Sequence, residues 1–310
     1  MKKTIAILLS VIFVVLSVSS CATQKVSDKK RIVVTVFPEY DWVMNVIGDL
    51  SEEYEVNLLL KNGSDLHSYQ PSTKDMASIS SCDLFIYVGG ESDFWVEKAL
   101  ENPMNKNRTV INLMEILGTK AIEEEGEEGE KPEYDEHVWL SLKNAVLFSK
   151  HICTELSRID DKNTKKYLEN TANYLSRLTE LDENYSKVVN ESSFNTLIVA
   201  DRFPFAYLCK DYNIQYYAAF DGCSADTEAS FETVIFLAEK LDESGLNCVL
   251  KIESSDDSLP ITIINNSKNK NRKILTLDSI QSVTMKDIES GTTYLSLMQS
   301  NLDILRDALN

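Results

Sequence analysis

Residues 162–189, KNTKKYLENTANYLSRLTELDENYSKVV, keep apolar side chains at helical spacing from one end to the other. Such a stripe is typical of the buried face of an amphipathic helix, and Asp160 and Asp161 just before it are candidates for its N-cap. At 1.5 Å per residue the helix is roughly 40 Å long. We therefore expect one helix to span the whole molecule and to join two halves. Its stripe consists of Tyr167, Leu168, Thr171, Tyr174, Leu175, Leu178, Leu181, Tyr185 and Val188.

On both sides of this helix, short apolar runs alternate with amphipathic segments, which indicates parallel α/β sheets. The first half has predicted strands at 31–37, 56–60, 84–88 and 109–113, and predicted helices at 41–50, 73–80, 94–100 and 143–156. The second half has predicted strands at 195–200, 214–217, 248–252 and 273–277, and predicted helices at 205–210, 231–241, 259–265 and 293–308. The predicted fold is α/β with two lobes, each a parallel sheet flanked by helices. The lobes cover residues 31–157 and 191–310, and the linking helix covers 158–190.

The N-terminus has the pattern of an export signal. Two lysines precede an apolar run at residues 5–16, which is too short for a transmembrane helix of about 20 apolar residues. The run ends in VSSC, which resembles a bacterial lipobox with Cys21 as the lipidated residue. Residues 1–20 are thus predicted to be a lipoprotein signal peptide and residues 21–30 a flexible tether. The chain is expected outside the cytoplasm, either lipid-anchored to the cell membrane or periplasmic.

Composition and charge limit the possible partners. The chain has 310 residues, a net charge of −18 and ordinary globular composition. The negative charge excludes nucleic acid as a partner. We also expect the protein to be a monomer. Five cysteines follow Cys21 at scattered spacings, which is not a disulfide framework; whether any of them pair stays open at this stage. They are Cys82, Cys153, Cys209, Cys223 and Cys248.

Two of the three histidines share one local pattern. DLHSY at 65–69 and DEHVW at 135–139 both read Asp-x-His-x-aromatic, whereas His151 lacks this context. Neutral imidazole is the commonest side-chain metal ligand, and a nearby carboxylate can accept its second ring N–H. His67 also follows a predicted strand, where parallel sheets bind ligands. We therefore predict that His67 and His137 bind a metal ion.

An acidic loop precedes the second histidine. Residues 122–135, IEEEGEEGEKPEYD, contain seven glutamates and two glycines. The loop either collects cations weakly or is a solvated surface insertion, and the sequence favours neither.

Together, these features resemble the metal-binding lipoproteins of bacterial zinc and manganese ABC importers, and the zinc-binding members most. The resemblance covers the whole mature chain. It depends on GSDLHSYQPS at 63–72, HVWLSLKNA at 137–145, the long helix, and LDS at 277–279 followed by GTTYLSLM at 291–298 and Asn301. The family fold has two α/β lobes joined by a rigid helix, with the metal ion in the cleft.

The resemblance also implies a ligand set. His67 and His137 match the two histidine ligands of the N-terminal lobe, and Asp278 matches the carboxylate ligand of the C-terminal lobe. The remaining family ligand, a histidine or glutamate, stands five residues before a tyrosine; here that position is Arg202, whose guanidinium has no acceptor. Asp201, just before it, is the predicted substitute. Glu228 and Cys223, in the loop at 221–230, are the alternatives.

The implied function is capture of a divalent ion and its delivery to an ABC importer permease. Two imidazoles with carboxylates suit zinc, and also manganese or iron. Family members for manganese have a glutamate where Arg202 stands, and zinc members carry an acidic or histidine-rich loop, so Zn²⁺ is favoured and Mn²⁺ is the alternative. A zinc-dependent hydrolase with Glu228 or Asp201 as general base is a second class, although H-E-x-x-H is absent. A surface adhesin is a third class.

Overall fold

The computed structural model describes residues 29–123, 134–220 and 229–310. The first lobe is a four-stranded parallel sheet whose strands lie in the order β2-β1-β3-β4. The strands are β1 Lys30–Val34, β2 Tyr54–Leu58, β3 Leu84–Tyr87 and β4 Thr109–Asn112. The helices of this lobe are α1 Phe37–Ile47, α2 Thr73–Ser81, α3 Val96–Leu100, α4 Leu113–Leu117 and α5 Leu142–Ile159.

The first strand is shorter than its apolar run. Ile32, Val33 and Val34 are buried, as expected, but α1 already begins at Phe37. Pro38 lies in the first turn of α1, where its missing N–H breaks no hydrogen bond. The predicted strand of residues 31–37 is therefore too long by three residues, because proline begins the next helix rather than only ending the strand.

The long helix is α6, Thr164–Glu191, of 28 residues. Six members of the predicted stripe are buried, whereas Leu175 and Val188 are partly buried and Leu168 is 58% exposed; Val189, which was not predicted, is buried. The predicted N-cap is wrong: a short 3₁₀ turn at Asp161–Asn163 precedes α6, and no side chain caps it. Asp160 instead accepts hydrogen bonds from the hydroxyls of Tyr54 and Tyr167 at 3.0 and 2.6 Å.

The second lobe repeats the topology of the first. Its parallel sheet has the order β6-β5-β7-β8. The strands are β5 Thr196–Arg202, β6 Gln215–Phe220, β7 Cys248–Ile252 and β8 Lys273–Leu277. The helices are α7 Ala206–Tyr212, α8 Phe231–Ser244, α9 Ser258–Asn266, α10 Met285–Glu289 and α11 Tyr294–Ala308. The predicted two-lobed α/β fold is confirmed, and α4 and α10, of five residues each, are helices that were not predicted.

One hydrophobic core extends through both lobes and α6. Trp42 of α1 packs 5.5 Å from Tyr294 of α11, centroid to centroid, and the Tyr185 hydroxyl on α6 donates to the Met298 carbonyl at 2.6 Å. Burial of apolar surface stabilises the folded state by about 25 cal/mol per Å², so a core shared by both lobes opposes their separation. The lobes are therefore held together by their interiors as well as by the helix that connects them.

Four of the five cysteines after Cys21 are free thiols in the interior, namely Cys82, Cys153, Cys209 and Cys248. Cys21 and Cys223 lie outside the described residues, as do the signal peptide and residues 124–133 of the acidic loop. In the described part of the chain, no helix has both the length and the apolar character needed to cross a bilayer.

Candidate metal centre

The two motif histidines approach each other across the first lobe. The ring centroids of His67 and His137 are 5.5 Å apart, although the residues are 70 positions apart in the sequence. His67 lies in a 3₁₀ turn, Leu66–Ser68, that follows β2, and His137 begins a second 3₁₀ turn, Val138–Leu140. The predicted convergence of the pair is thus present in the structure.

The aspartate of each motif has a local role that explains the spacing. Asp65 and Asp135 each accept a hydrogen bond from the backbone N–H of the histidine two residues later, at 3.0 and 2.7 Å. This is an Asx-type turn, in which a short carboxylate closes a loop onto the chain just ahead of it. The pattern Asp-x-His therefore fixes where each histidine leaves the backbone.

His137 is held more tightly than His67. Its ring is buried, and Asp135 Oδ1 also lies 2.8 Å from its Nδ1. A carboxylate there selects the tautomer with the proton on Nδ1 and leaves the lone pair on Nε2. The pair is the arrangement that orients and strengthens an imidazole for metal binding.

His67 is neutral over the physiological range. Partial burial, with the His137 ring and the charge of Arg202 nearby, lowers its pKa to about 4. Metal ions bind the neutral form of imidazole, so His67 has no proton to displace at neutral pH. Its Nδ1 faces Ser92 Oγ at 2.6 Å and Glu136 Oε2 at 3.7 Å.

Asp278 follows β8 and is partly buried. Its Oδ1 accepts the Ile280 N–H at 2.7 Å, and Ile280 has φ of +63°, a left-handed conformation that is rare for a β-branched residue. Asn301 holds the Asp278 backbone through its side-chain amide. Burial, and secondarily the charge of Glu253, raises the pKa of Asp278 to about 6. A cation at this carboxylate would relieve the unfavourable burial of its charge.

Asp201 does not follow a strand, as the sequence suggested, but belongs to one. β5 continues through Arg202, which pairs with Phe220 of β6 after a shift in register. The Asp201 oxygens accept the N–H groups of Arg202 and Ile252 at 2.9 and 3.1 Å. Asp201 therefore links β5 to β7, and its role as a metal ligand stays a prediction.

Arg202 crosses between the lobes. Its guanidinium lies 3.0 Å from Asp65 Oδ2, so it pairs with the carboxylate that shapes the His67 turn. The partner of Arg202 is thus the motif aspartate of the first lobe, 137 positions away.

Three residues that shape the surroundings of the candidate ligands were not identified from the sequence, namely Glu253, Glu136 and Ser92. Glu253 follows β7 and accepts both the N–H and the hydroxyl of Ser279, at 2.8 and 2.7 Å, which braces the loop after Asp278. Glu136 and Ser92 face the Nδ1 edge of His67. The strand-end argument applied to His67 also applies to Glu253, which follows β7, and Glu136 stands inside the second motif.

The donor set is incomplete among the described residues. Within 29–123, 134–220 and 229–310, no three His, Cys, Asp or Glu side chains are placed so that they could hold a metal ion together. Glu228 and Cys223, the alternative ligands, lie outside this part of the chain. His151 is exposed on α5, which agrees with its lack of the motif context.

A family model described as the zinc-uptake complex component A, periplasmic (ZnuA), matches residues 32–308. The chain belongs to this family. Membership confirms the resemblance that the sequence motifs indicated. The histidine pair described above is thus found in a ZnuA-family fold.

Individual relatives agree with this assignment. The zinc-binding lipoprotein AdcA of Streptococcus pneumoniae (strain ATCC BAA-255 / R6) is 31% identical over 312 residues, which cover 98% of this chain and 60% of AdcA. The manganese ABC transporter substrate-binding lipoprotein PsaA of Streptococcus pneumoniae is 29% identical and is covered over 100% of both chains. The chain thus spans about 60% of the length of AdcA and the full length of PsaA.

A solved structure has the same architecture. The Zn(II)-bound ZnuA-like domain of Streptococcus pneumoniae AdcA superposes with a TM-score of 0.73 at 27% identity, covering 91% of this chain and 99% of that domain. The lobes described above therefore correspond to a fold that has been observed with zinc in a related protein.

Proposed function

We propose that this protein captures a divalent metal ion between its lobes, zinc before manganese, and delivers it to the permease of an ABC importer. The observation that carries the proposal is the buried His137 ring, whose tautomer is set by Asp135, beside the neutral ring of His67. Two such imidazoles, with ring centroids 5.5 Å apart, would provide two ligands of a metal site without a large rearrangement.

The proposed ligands are His67, His137 and Asp278, with Asp201 as the predicted fourth. Asp278 supports this set because it is a partly buried carboxylate whose raised pKa reports an unfavourable charge. Asp201 accepts a hydrogen bond from the Ile252 N–H of β7. To bind the metal ion, it would have to exchange one of its backbone hydrogen bonds for the ion. Glu228 and Cys223 are the alternative fourth ligands. A carboxylate must move toward the histidines to complete the site.

Zinc is favoured over manganese by the two imidazoles, since ligand affinity for divalent ions rises from manganese toward zinc. A manganese ion would be favoured instead by a set richer in carboxylates. The whole-length likeness to a manganese lipoprotein keeps that ion as the second candidate.

We propose binding and delivery rather than catalysis. A hydrolytic zinc site needs three protein ligands and an open position for water, with a general base beside it. Two of the carboxylates that approach the motif histidines have other roles: Asp135 holds His137, and Asp65 pairs with Arg202. A capture site requires no base, which is consistent with this arrangement.

The protein is proposed to act as a monomer tethered by lipid at Cys21. Replacement of Cys21 by serine should leave the chain uncleaved or released, and it should no longer partition into detergent. Retention of a correctly cleaved Cys21→Ser chain in the membrane fraction would assign the anchor to another element.

The deciding experiment combines elemental analysis of the purified mature protein with calorimetric competition between Zn²⁺ and Mn²⁺. One zinc ion per chain, with zinc displacing manganese, is the expected result. Absence of stoichiometric binding of either ion would overturn the proposal. Ester, peptide and phosphate substrates should remain intact when incubated with the zinc-loaded protein, and steady turnover of any of them would favour the hydrolase.

A further inference from the structure

Glu136 has a buried carboxylate whose two oxygens differ in their hydrogen bonding. The residue is 5% exposed, and its Oε1 accepts the Ser92 N–H at 2.8 Å. Its Oε2 has no hydrogen-bond partner among the residues that the structure describes. Burying a carboxylate oxygen without a hydrogen-bond partner is unfavourable, so the position of this oxygen calls for an explanation.

That oxygen is directed at His67. Glu136 Oε2 lies 3.7 Å from His67 Nδ1, and the Ser92 hydroxyl lies 2.6 Å from the same nitrogen. The segment that holds Ser92 is shaped for the glutamate: Gly90 has φ of +86°, and any side chain there would collide with Glu136. Ser92 therefore contacts both partners, its N–H bonding the glutamate and its hydroxyl bonding the histidine.

His137 provides the comparison within the same site. Its Nδ1 already bonds a buried carboxylate, that of Asp135, at 2.8 Å. His67 does not use its own motif aspartate in that way: Asp65 Oδ2 pairs with Arg202, and Asp65 Oδ1 bonds the backbone N–H of His67. Glu136 is thus the described carboxylate that stands at the Nδ1 edge of His67.

We propose that Glu136 is the positioning residue for His67, selecting the tautomer with the proton on Nδ1 so that Nε2 presents its lone pair to the metal ion. This inference rests on the proposed function for the identity of the ion, but the tautomer itself is a property of the metal-free protein. Closing the gap from 3.7 Å to about 2.8 Å is a small shift of the ring. The two histidines would then each have a buried carboxylate behind them, which is the usual support of a metal-binding imidazole.

The test uses the small number of histidines. Full-length protein labelled with ¹⁵N-histidine contains three rings, so nitrogen–proton correlation spectra can assign the tautomer of each one with and without Zn²⁺. Wild type should show His67 protonated on Nδ1 in both states. Glu136→Gln should lose this preference at His67 and bind zinc 10–100-fold more weakly, the range found when carboxylates behind ligand histidines are removed. The matched control is Glu91→Gln, an exposed glutamate in the same loop, which should change neither reading.

A second variant, Ser92→Ala, tests the same inference independently if Glu136→Gln does not fold. It removes the hydroxyl that could hold the opposite tautomer, and His67 should keep its proton on Nδ1 in this variant. The proposal is overturned if Ser92→Ala, and not Glu136→Gln, changes the tautomer. It is also overturned if only the His137 signals respond, or if wild-type His67 carries its proton on Nε2. Failure of wild type to bind zinc would contradict the proposed function instead, because the metal-free tautomer would still be measured.

Discussion

The indole Nε1 of Trp139 donates a hydrogen bond of 2.9 Å to the carbonyl oxygen of Ser279. Trp139 stands two residues after His137, and Ser279 directly follows Asp278. The bond therefore joins the histidine segment of one lobe to the carboxylate segment of the other, across 140 positions of sequence. The Tyr294 hydroxyl donates to the Trp139 carbonyl at 2.6 Å and reinforces the link.

Replacing Trp139 by phenylalanine should destabilise the protein more than the loss of ring volume explains. The buried Ser279 carbonyl would lose its donor, which costs about 1–3 kcal/mol. Trp42→Phe is the matched control: Trp42 is equally buried, but its Nε1 bonds no partner in the described residues. Urea unfolding of both variants should show the larger loss for Trp139→Phe. Equal losses would mean that the inter-lobe bond contributes little.

Calorimetry should show that zinc binding depends on the two motif histidines and not on His151. His67→Ala and His137→Ala are each expected to weaken zinc binding at least about tenfold, since each removes a ligand. His151→Ala, on the exposed side of α5, should bind as wild type does. A comparable loss in His151→Ala would mean that the Asp-x-His pattern does not mark the site.

Glu39 should make the protein less stable as pH rises. Complete burial raises its pKa from 4.5 to about 8. Between these values the folded state keeps a proton that the unfolded state has released, so the free energy of unfolding falls with increasing pH, by at most about 1.4 kcal/mol per unit. This contribution is fully present below pH 4.5 and is lost as the pH approaches 8.

Glu39→Gln should lack that part of the slope, because an amide cannot titrate. Urea unfolding at intervals from pH 5 to 8 measures it, with the exposed Glu55→Gln as control. The difference between Glu39→Gln and wild type should favour the variant increasingly with pH. Parallel curves would show that Glu39 does not titrate differently on folding.

Arg202→Gln should strengthen zinc binding several-fold at low salt. The change removes a positive charge that acts on His67 and leaves the Asp65 carboxylate unpaired nearby. The half-exposed ion pair that is lost contributes only about 0–1 kcal/mol, so the electrostatic gain should exceed the loss. The gain should shrink as salt is added. Arg158→Gln, which breaks an exposed pair on α5, is the control. Weaker binding by Arg202→Gln would instead mean that its link between the lobes matters more.

The features that could be predicted from the sequence depend on interactions between neighbouring residues. The stripe of α6 depends on side chains three or four positions apart, and the parallel strands appear as short apolar runs. The Asp-x-His turns need only a carboxylate and a backbone N–H two residues away. These interactions form between neighbours in the chain, so composition and spacing were enough to predict the lobes, the linking helix and the two histidines.

The contacts between distant segments could not be predicted, because they depend on how the strands pair and how the lobes pack. Residues 201 and 202 looked like a strand end, but pairing with β6 and β7 keeps them in β5. The Asp201 carboxylate consequently accepts the Ile252 N–H, while the Arg202 guanidinium reaches Asp65 of the other lobe. The Asp201–Ile252 bond joins residues 51 positions apart and the Arg202–Asp65 pair joins residues 137 positions apart, and local spacing carries no record of such contacts.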